Sequence, residues 1–375
     1  MYDLHQFLLP VKKLQLNDDK EYNDAQIGRF ISVNEGQLPE LENTDIIITG
    51  INEYRGEETV TGINSADAVR KQFYSLHHWH KNITIADIGN IQCGATSEDS
   101  YFAVKMVVEE MLNLNKQVII LGGSHDITLG QYAAYKNSNK LIEATVIDAT
   151  IDLVSDSHLR SENFLMEMLT GEPNYVKHYN HIGFQSYLVH PHILETMDKL
   201  RFDCFRVGTA SEDIAEMEPI IRNSDMVSFD ISAIKNGDSP ASLCSPNGFN
   251  GEDACSLAQF AGMSNNLSSF GIYGYDAGKD AHGLTAKQIA QMMWYFIDGK
   301  SRNKQEAAMG DLHQFNEFHT SFADVPTVFF QSKKTGRWWM QLPDKNLLPC
   351  SIKDYYTASN NEIPERWLRA QERSA

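Results

Sequence analysis

The chain has 375 residues, of which 42% are hydrophobic and 22% charged, so it is long enough to bury a large core and lacks the apolar poverty of a disordered chain. Its 32 basic and 50 acidic residues leave a formal charge of −18, a sign that repels a phosphate backbone and argues against nucleic acid as a partner. Five cysteines without a C-x-x-C pair argue against a disulfide framework or a cysteine zinc site and fit a reducing cytoplasm.

The opening Met1-Tyr-Asp-Leu-His-Gln-Phe-Leu-Leu-Pro10 carries an early acid and too short an apolar stretch for a secretion signal. Residues 1–44 read as an N-terminal extension. From 45 to 300, short β-branched runs alternate with segments of helical period, the pattern of βαβ units around a mainly parallel sheet in an α/β domain. Strands are predicted at 46–49, 84–88, 118–121, 144–147, 202–207, 226–229 and 269–273, each short and apolar as expected of strands covered on both faces. Between them, 100–114 sets Val104, Val107, Val108, Met111 and Leu112 on one stripe, and 285–297 does so with Ile289, Met292, Met293 and Phe296; both predict crossover helices. Residues 301–375 read as a C-terminal extension, packed on the domain or at a subunit interface. It has two strand-like runs, 327–331 and 336–342, joined by Lys333-Lys-Thr-Gly336 and followed by a polar tail. No apolar run approaches the roughly 20 residues of a membrane span.

Ligands of open parallel sheets bind beyond the carboxyl ends of the strands. Three such places carry metal-ligand residue types: Gly122-Gly-Ser-His-Asp126, Asp148-Ala-Thr-Ile-Asp152 and Asp230-Ile-Ser232. His125, Asp148, Asp152 and Asp230 would repel one another if left bare, whereas a hard divalent cation such as manganese suits the set. Each motif alone has an ordinary explanation, since an Asp after a strand often caps a helix and paired glycines often serve a turn. Their recurrence after three strands raises the metal reading above that background.

With these motifs in place, the sequence resembles the ureohydrolase (arginase, agmatinase, formimidoylglutamase) family, whose signatures are a Gly-Gly-x-His, an Asp-x-His-x-Asp and a Ser-Phe-Asp-x-Asp segment. Here they read Gly122-Gly-Ser-His125, Asp148-Ala-Thr-Ile-Asp152 and Ser228-Phe-Asp-Ile-Ser232, in the same order. Flanking pieces over 45–298 are also similar, and the Gly123-Ser-His-Asp-Ile-Thr128 wording resembles the formimidoylglutamase-like branch. The resemblance implies a three-layer α/β/α fold and a two-manganese centre with a bridging hydroxide. It further implies hydrolysis of a small-molecule amidine or guanidino compound, with homo-oligomers (trimers or hexamers).

The sequence departs from that pattern at the centre itself. The family's second-segment histidine is Thr150 here and its last third-segment aspartate is Ser232. By resemblance, His125, Asp148, Asp152 and Asp230 are the full ligand set of one ion, with Asp148 also in a catalytic role. The other ion has lost both of its private ligands to neutral hydroxyls. The expected cofactor is therefore one divalent ion, manganese first, or none. Standard two-manganese hydrolysis is not expected; the alternative is a hydrolase that opens a linear amidine C–N bond with a single ion. The family's substrate-facing glutamate falls on Gly274, and its substrate loop corresponds to Ser161-Glu-Asn-Phe164, which places Asn163 against substrate.

His158 follows the second segment and is a candidate proton shuttle, because imidazole titrates near neutrality; a solvated loop histidine is the plainer reading. His77-His-Trp-His80 sits at a helix end before a strand, where polar side chains are ordinary. Asp126 is read as structural. Of the adjacent Trp338 and Trp339, strand alternation predicts that one packs inward.

Overall fold

The computed structural model describes residues 4–19, 21–57, 63–138, 140–242 and 244–374. Residues 1–3, the start of the stretch weighed against a secretion signal, and residue 375 at the end of the tail lie outside the described residues. In chain order the strands are β1 (Leu8–Leu9), β2 (Ser32–Val33), β3 (Ile46–Ile51), β4 (Ile85–Ile91), β5 (Gln117–Leu121), β6 (Ile142–Ile147), β7 (Val176–Phe184), β8 (Asp203–Arg206), β9 (Met226–Asp230) and β10 (Ser269–Tyr273). Four more follow: β11 (Phe315–Phe322), β12 (Val325–Ser332), β13 (Trp338–Gln341) and β14 (Leu347–Cys350).

The first ten form one sheet in the order β1-β4-β3-β5-β10-β9-β6-β7-β8, with β2 also on β4. Its pairings are parallel except β1 with β4. All seven strands expected from the sequence are present. Residues of the expected N-terminal extension add β1 and β2 to the same sheet, so they are part of its edge.

Successive side chains of a strand face opposite sides, and the β-branched runs feed two cores. Ile46 and Ile48 of β3 pack with helices Ser65–Tyr74, Gly251–Gly262 and Leu284–Asn303 on one face. Ile47 and Ile51 pack with helices Ser97–Asn113, Thr128–Ala133 and Phe164–Thr170 on the other. These are the three layers expected. The helix predicted at 100–114 starts earlier because Thr96 and Asp99 form a capping box.

Of the strands inside the sheet's interior, β7 was not legible. β7 runs Val-Lys-His-Tyr-Asn-His-Ile-Gly-Phe, with no apolar run to announce it, yet seven of its nine residues are buried. Tertiary partners satisfy its polar side chains: His178 Nε2 lies 3.0 Å from Asp203 Oδ2, Asn180 Nδ2 donates to Thr145 Oγ1 at 3.2 Å, and the Tyr179 hydroxyl meets His181 Nδ1 at 2.9 Å.

The C-terminal segment also differs from expectation. β11–β14 form a four-stranded antiparallel sheet, and the polar tail is two helices, Ile352–Ser359 and Glu365–Ser374. The first is fixed by a Ser351/Asp354 capping box. Both Trp338 and Trp339 are buried, one on each face. The reason is that Arg222 of the α/β domain covers the second face: its guanidinium sits 4.6 Å over the Trp339 ring and donates to the Trp338 carbonyl at 2.6 Å. Among the described residues no helix is long and apolar enough to cross a membrane.

Candidate metal centre

The register of the central strands sets the site. Leu121 of β5 pairs with Ile272 of β10, which pairs with Phe229 of β9, which pairs with Ile147 of β6. Four neighbouring strands thus end level with one another, and the segments that follow them meet at one place.

Gly122 and Gly123 turn the chain after β5, both at φ +86°. A β-carbon would come within 2.8 Å of the Ile51 carbonyl at the first and 2.9 Å of Ile127 at the second, so only glycine fits. The turn delivers His125 into the core end of the crevice, where it is 3% exposed. Phe164 holds the ring from behind, edge to face at 4.8 Å. Asp148 directly follows β6, Asp152 lies in the loop after it, and Asp230 is the last residue of β9. All three carboxylates are buried.

These side chains converge on one nitrogen. His125 Nδ1 lies 2.9 Å from Asp152 Oδ2, 3.1 Å from Asp148 Oδ2 and 3.9 Å from Asp230 Oδ2. The potential ligand atoms of His125, Asp148 and Asp152 all fall within 4.8 Å of one another, and Asp230 flanks them. The other ring nitrogen, Nε2, is engaged with Ser228 Oγ at 3.1 Å. Nδ1 and Asp152 Oδ2 are buried and, despite their separation, make no hydrogen bond of acceptable geometry. Two unsatisfied buried atoms that can both offer lone pairs toward one point are what a cation would satisfy, so the residues present fit a divalent ion. Burial works against a charged His125, but the Asp148 and Asp152 carboxylates outweigh it and hold the imidazole well above its ordinary pKa. Burial and the neighbouring Asp148 push Asp152 up. Burial would also raise Asp148, yet the adjacent His125 imidazole and the Ser232 hydrogen bond hold it low. Behind Asp148 stands His181, lowered to about 4 by burial, its Nε2 3.2 Å from the Asp148 carbonyl.

Thr150 and Ser232 stand against the same carboxylates. Ser232 Oγ donates a short hydrogen bond to Asp148 Oδ1, and its amide donates to Asp230 Oδ1 at 2.7 Å. Thr150 Oγ1 donates to Asp152 Oδ1 at 2.9 Å and its amide to Asp148 Oδ1 at 3.3 Å. The cluster opens into a cavity of about 690 Å³.

Gly274 lines that cavity with backbone alone. It has φ +75°, and a β-carbon there would lie 2.5 Å from Asp230 Oδ2. Ser161 and Glu162 are on the wall, but Asn163 is not: its side chain turns back to donate to the Ser157 carbonyl at 2.9 Å. His158 is exposed and also off the lining. Asp126 receives a short hydrogen bond from the Tyr101 hydroxyl, a structural contact. The His77–His80 cluster stands apart from the cavity, with His80 Nε2 2.9 Å from Asp298 Oδ1 and His78 stacked on Phe30.

Sequence reasoning missed Glu57, Lys279, His190 and His192 on the wall. Glu57 follows β3, so the strand-end rule applied there would have found it; the two histidines follow the unrecognised β7. Burial and Asp230 push Glu57 up to about 7, against the pull of Lys279.

A model of the arginase family matches residues 45–298, well over half of the chain. Formimidoylglutamase of Hahella chejuensis is 26% identical over 159 residues, 39% of this chain and 48% of that protein. That of Streptococcus gordonii is 26% identical over 139 residues, covering 34% and 42%. The matched stretch thus spans about half or less of these curated relatives. Among solved structures, Trypanosoma cruzi formiminoglutamase with Mn2+ has a TM-score of 0.66 at 15% identity, covering 74% of this chain and 99% of that one. Agmatine ureohydrolase of Thermoplasma volcanium has a TM-score of 0.61 at 19% identity, covering 76% and 97%. At these identities the structural likeness shows the fold.

Proposed function

The chain belongs to the arginase family, and on that premise we propose that it keeps a one-ion centre built from His125, Asp148, Asp152 and Asp230, has lost the second ion, and does not perform standard two-manganese hydrolysis. The observation that carries this is the Ser232 hydroxyl bonded to Asp148 Oδ1. An oxygen of Asp148 that could reach a second cation is occupied by a neutral donor, and a hydroxyl supplies neither charge nor a strong lone pair in exchange. A bound divalent ion would act as a Lewis acid and orient a polar ligand. The chain's own residues aim His125 Nδ1, through Ser228 and Phe164, and keep the cluster at the foot of a cavity sized for a small amidine or guanidino compound.

Metal analysis of the purified chain after manganese loading is expected to give at most one tightly held ion; two per chain would refute the reading. The second reading, a single-ion hydrolase of a linear amidine, is favoured by one feature, the open cavity leading directly to the cluster. Release of ammonia, formamide or urea from an amidine panel, abolished by Asp148→Ala, would establish it.

A further inference from the structure

We propose that Glu57 is the selectivity residue of this cavity, pairing with the cationic amidinium or guanidinium end of a small ligand and disfavouring doubly anionic ones. The proposal rests on the reading of the cavity as an amidine site.

Glu57 is held on the wall by a braced turn. Its amide donates to the Tyr54 carbonyl at 2.9 Å, and the Tyr54 hydroxyl donates to the Tyr275 carbonyl at 2.6 Å. The Gly56 carbonyl accepts from both the amide and hydroxyl of Ser161, at 3.2 and 2.9 Å, and the Ser124 amide donates to the Glu53 carbonyl at 2.8 Å. The turn is thereby tied to the segments after β5, β6 and β10. The carboxylate itself is the unengaged one: among the described residues, no hydrogen bond or salt bridge is formed by it. The other carboxylates of the cavity are committed: Asp148, Asp152 and Asp230 to His125, Thr150 and Ser232, Glu162 to Ser157, and Asp156 to Ser155. A fixed, partly desolvated carboxylate that feels Lys279 only at a distance, with no hydrogen bond or salt bridge among the described residues, is suited to a charge-assisted, two-pronged hydrogen bond with a planar cation. The overall charge points the same way. Among the described residues, six carboxylates line the cavity against one lysine, Lys279, three histidines, His125, His190 and His192, and no arginine. A dianion would need two cationic anchors and would meet this field unfavourably.

Calorimetry on the full-length chain loaded with manganese tests the proposal, using butylguanidine as the cationic probe and glutarate as the dianionic one. The wild-type chain is expected to bind butylguanidine more tightly. Glu57→Gln should weaken that binding by about 10- to 100-fold, the range for a hydrogen bond to a charged group, while manganese content and Tm stay unchanged. Glu57→Lys should reverse the preference between the probes. Equal butylguanidine affinity in Glu57→Gln and wild type, with loss in Asp148→Ala, would overturn the role of Glu57 and leave the amidine reading standing. Preference of the wild type for glutarate would overturn the proposal. Loss of manganese from Glu57→Gln would overturn the proposal by placing Glu57 among the ion's ligands. Failure of the wild type to bind either probe would overturn both readings.

Discussion

The double substitution Thr150→His with Ser232→Asp puts an imidazole and a carboxylate where two hydroxyls now touch the cluster. Ser232 is the more sensitive position, because its hydroxyl donates to Asp148 Oδ1. A carboxylate there turns a donor–acceptor contact into a like-charge one. At a separation of about 4 Å and an effective dielectric of about 20, the repulsion costs about 4 kcal/mol, and protonation of one carboxylate caps the loss. At about 2.1 cal/mol/K per residue, a chain of this size has an unfolding entropy of about 0.8 kcal/mol/K, so the metal-free Tm should fall by about 5 °C. Manganese should reverse this. At about 100 times Kd one ion adds about 2.7 kcal/mol, or about 3 °C; the double variant, holding two ions and relieved of its repulsion, should rise about three times as far as the wild type. Scanning calorimetry of chelator-treated protein with and without manganese, beside metal content per chain, reads both quantities. An unchanged metal-free Tm together with a manganese response equal to that of the wild type would refute the account of positions 150 and 232.

Asp152→Asn removes one of the carboxylates converging on His125 Nδ1; manganese affinity should drop at least about tenfold, while the metal-free Tm holds or rises, as titration with manganese and calorimetry would show. Phe164→Ala empties a fully buried ring site against His125, and denaturant unfolding should record a loss of about 3 to 5 kcal/mol. Glu306 binds Arg337 at 2.8 Å, with Ser332 Oγ donating to it at 2.5 Å, and so ties the helix Leu284–Asn303 region to β12 and β13. Glu306→Gln should cost about 3 kcal/mol in denaturant unfolding at pH 7. Burial opposes the charge of Glu306, but the Ser332 and Thr335 hydrogen bonds outweigh it and hold its pKa below 4.5. Its stabilisation is therefore fully present above 4.5 and lost as pH falls through the lowered value, so wild type and Glu306→Gln should converge in stability in acid.

The parts of the fold that were legible share one property: their residues announce their surroundings locally. The runs at β3, β5 and β9 are apolar on both faces because both faces are covered, and the ligand residues stand directly after such runs. β7 failed this test because its burial depends on partners distant in sequence, such as Asp203 for His178. β11 failed for the opposite reason, since only its end residues Phe315 and Phe322 are buried and the alternation between them is mostly solvated. Asn163 and His158 were chosen by proximity to the second segment, and the loop's own hydrogen bonding sends Asn163 elsewhere.

The three departures from the family pattern meet at one pair of carboxylates. Ser232 caps Asp148 Oδ1 and gives its amide to Asp230 Oδ1, while Asp230 Oδ2 lies where a side chain at position 274 would begin. Restoring a carboxylate by Gly274→Glu alone should therefore fail twice. The backbone at φ +75° strains any L side chain, and the new β-carbon would drive Asp230 away from His125, so manganese affinity should fall and no amidine turnover should appear. The present residues at 150, 232 and 274 are mutually compatible around a single ion, and a return to two-ion chemistry requires Asp230 to move before any acidic residue at 274 can be accommodated.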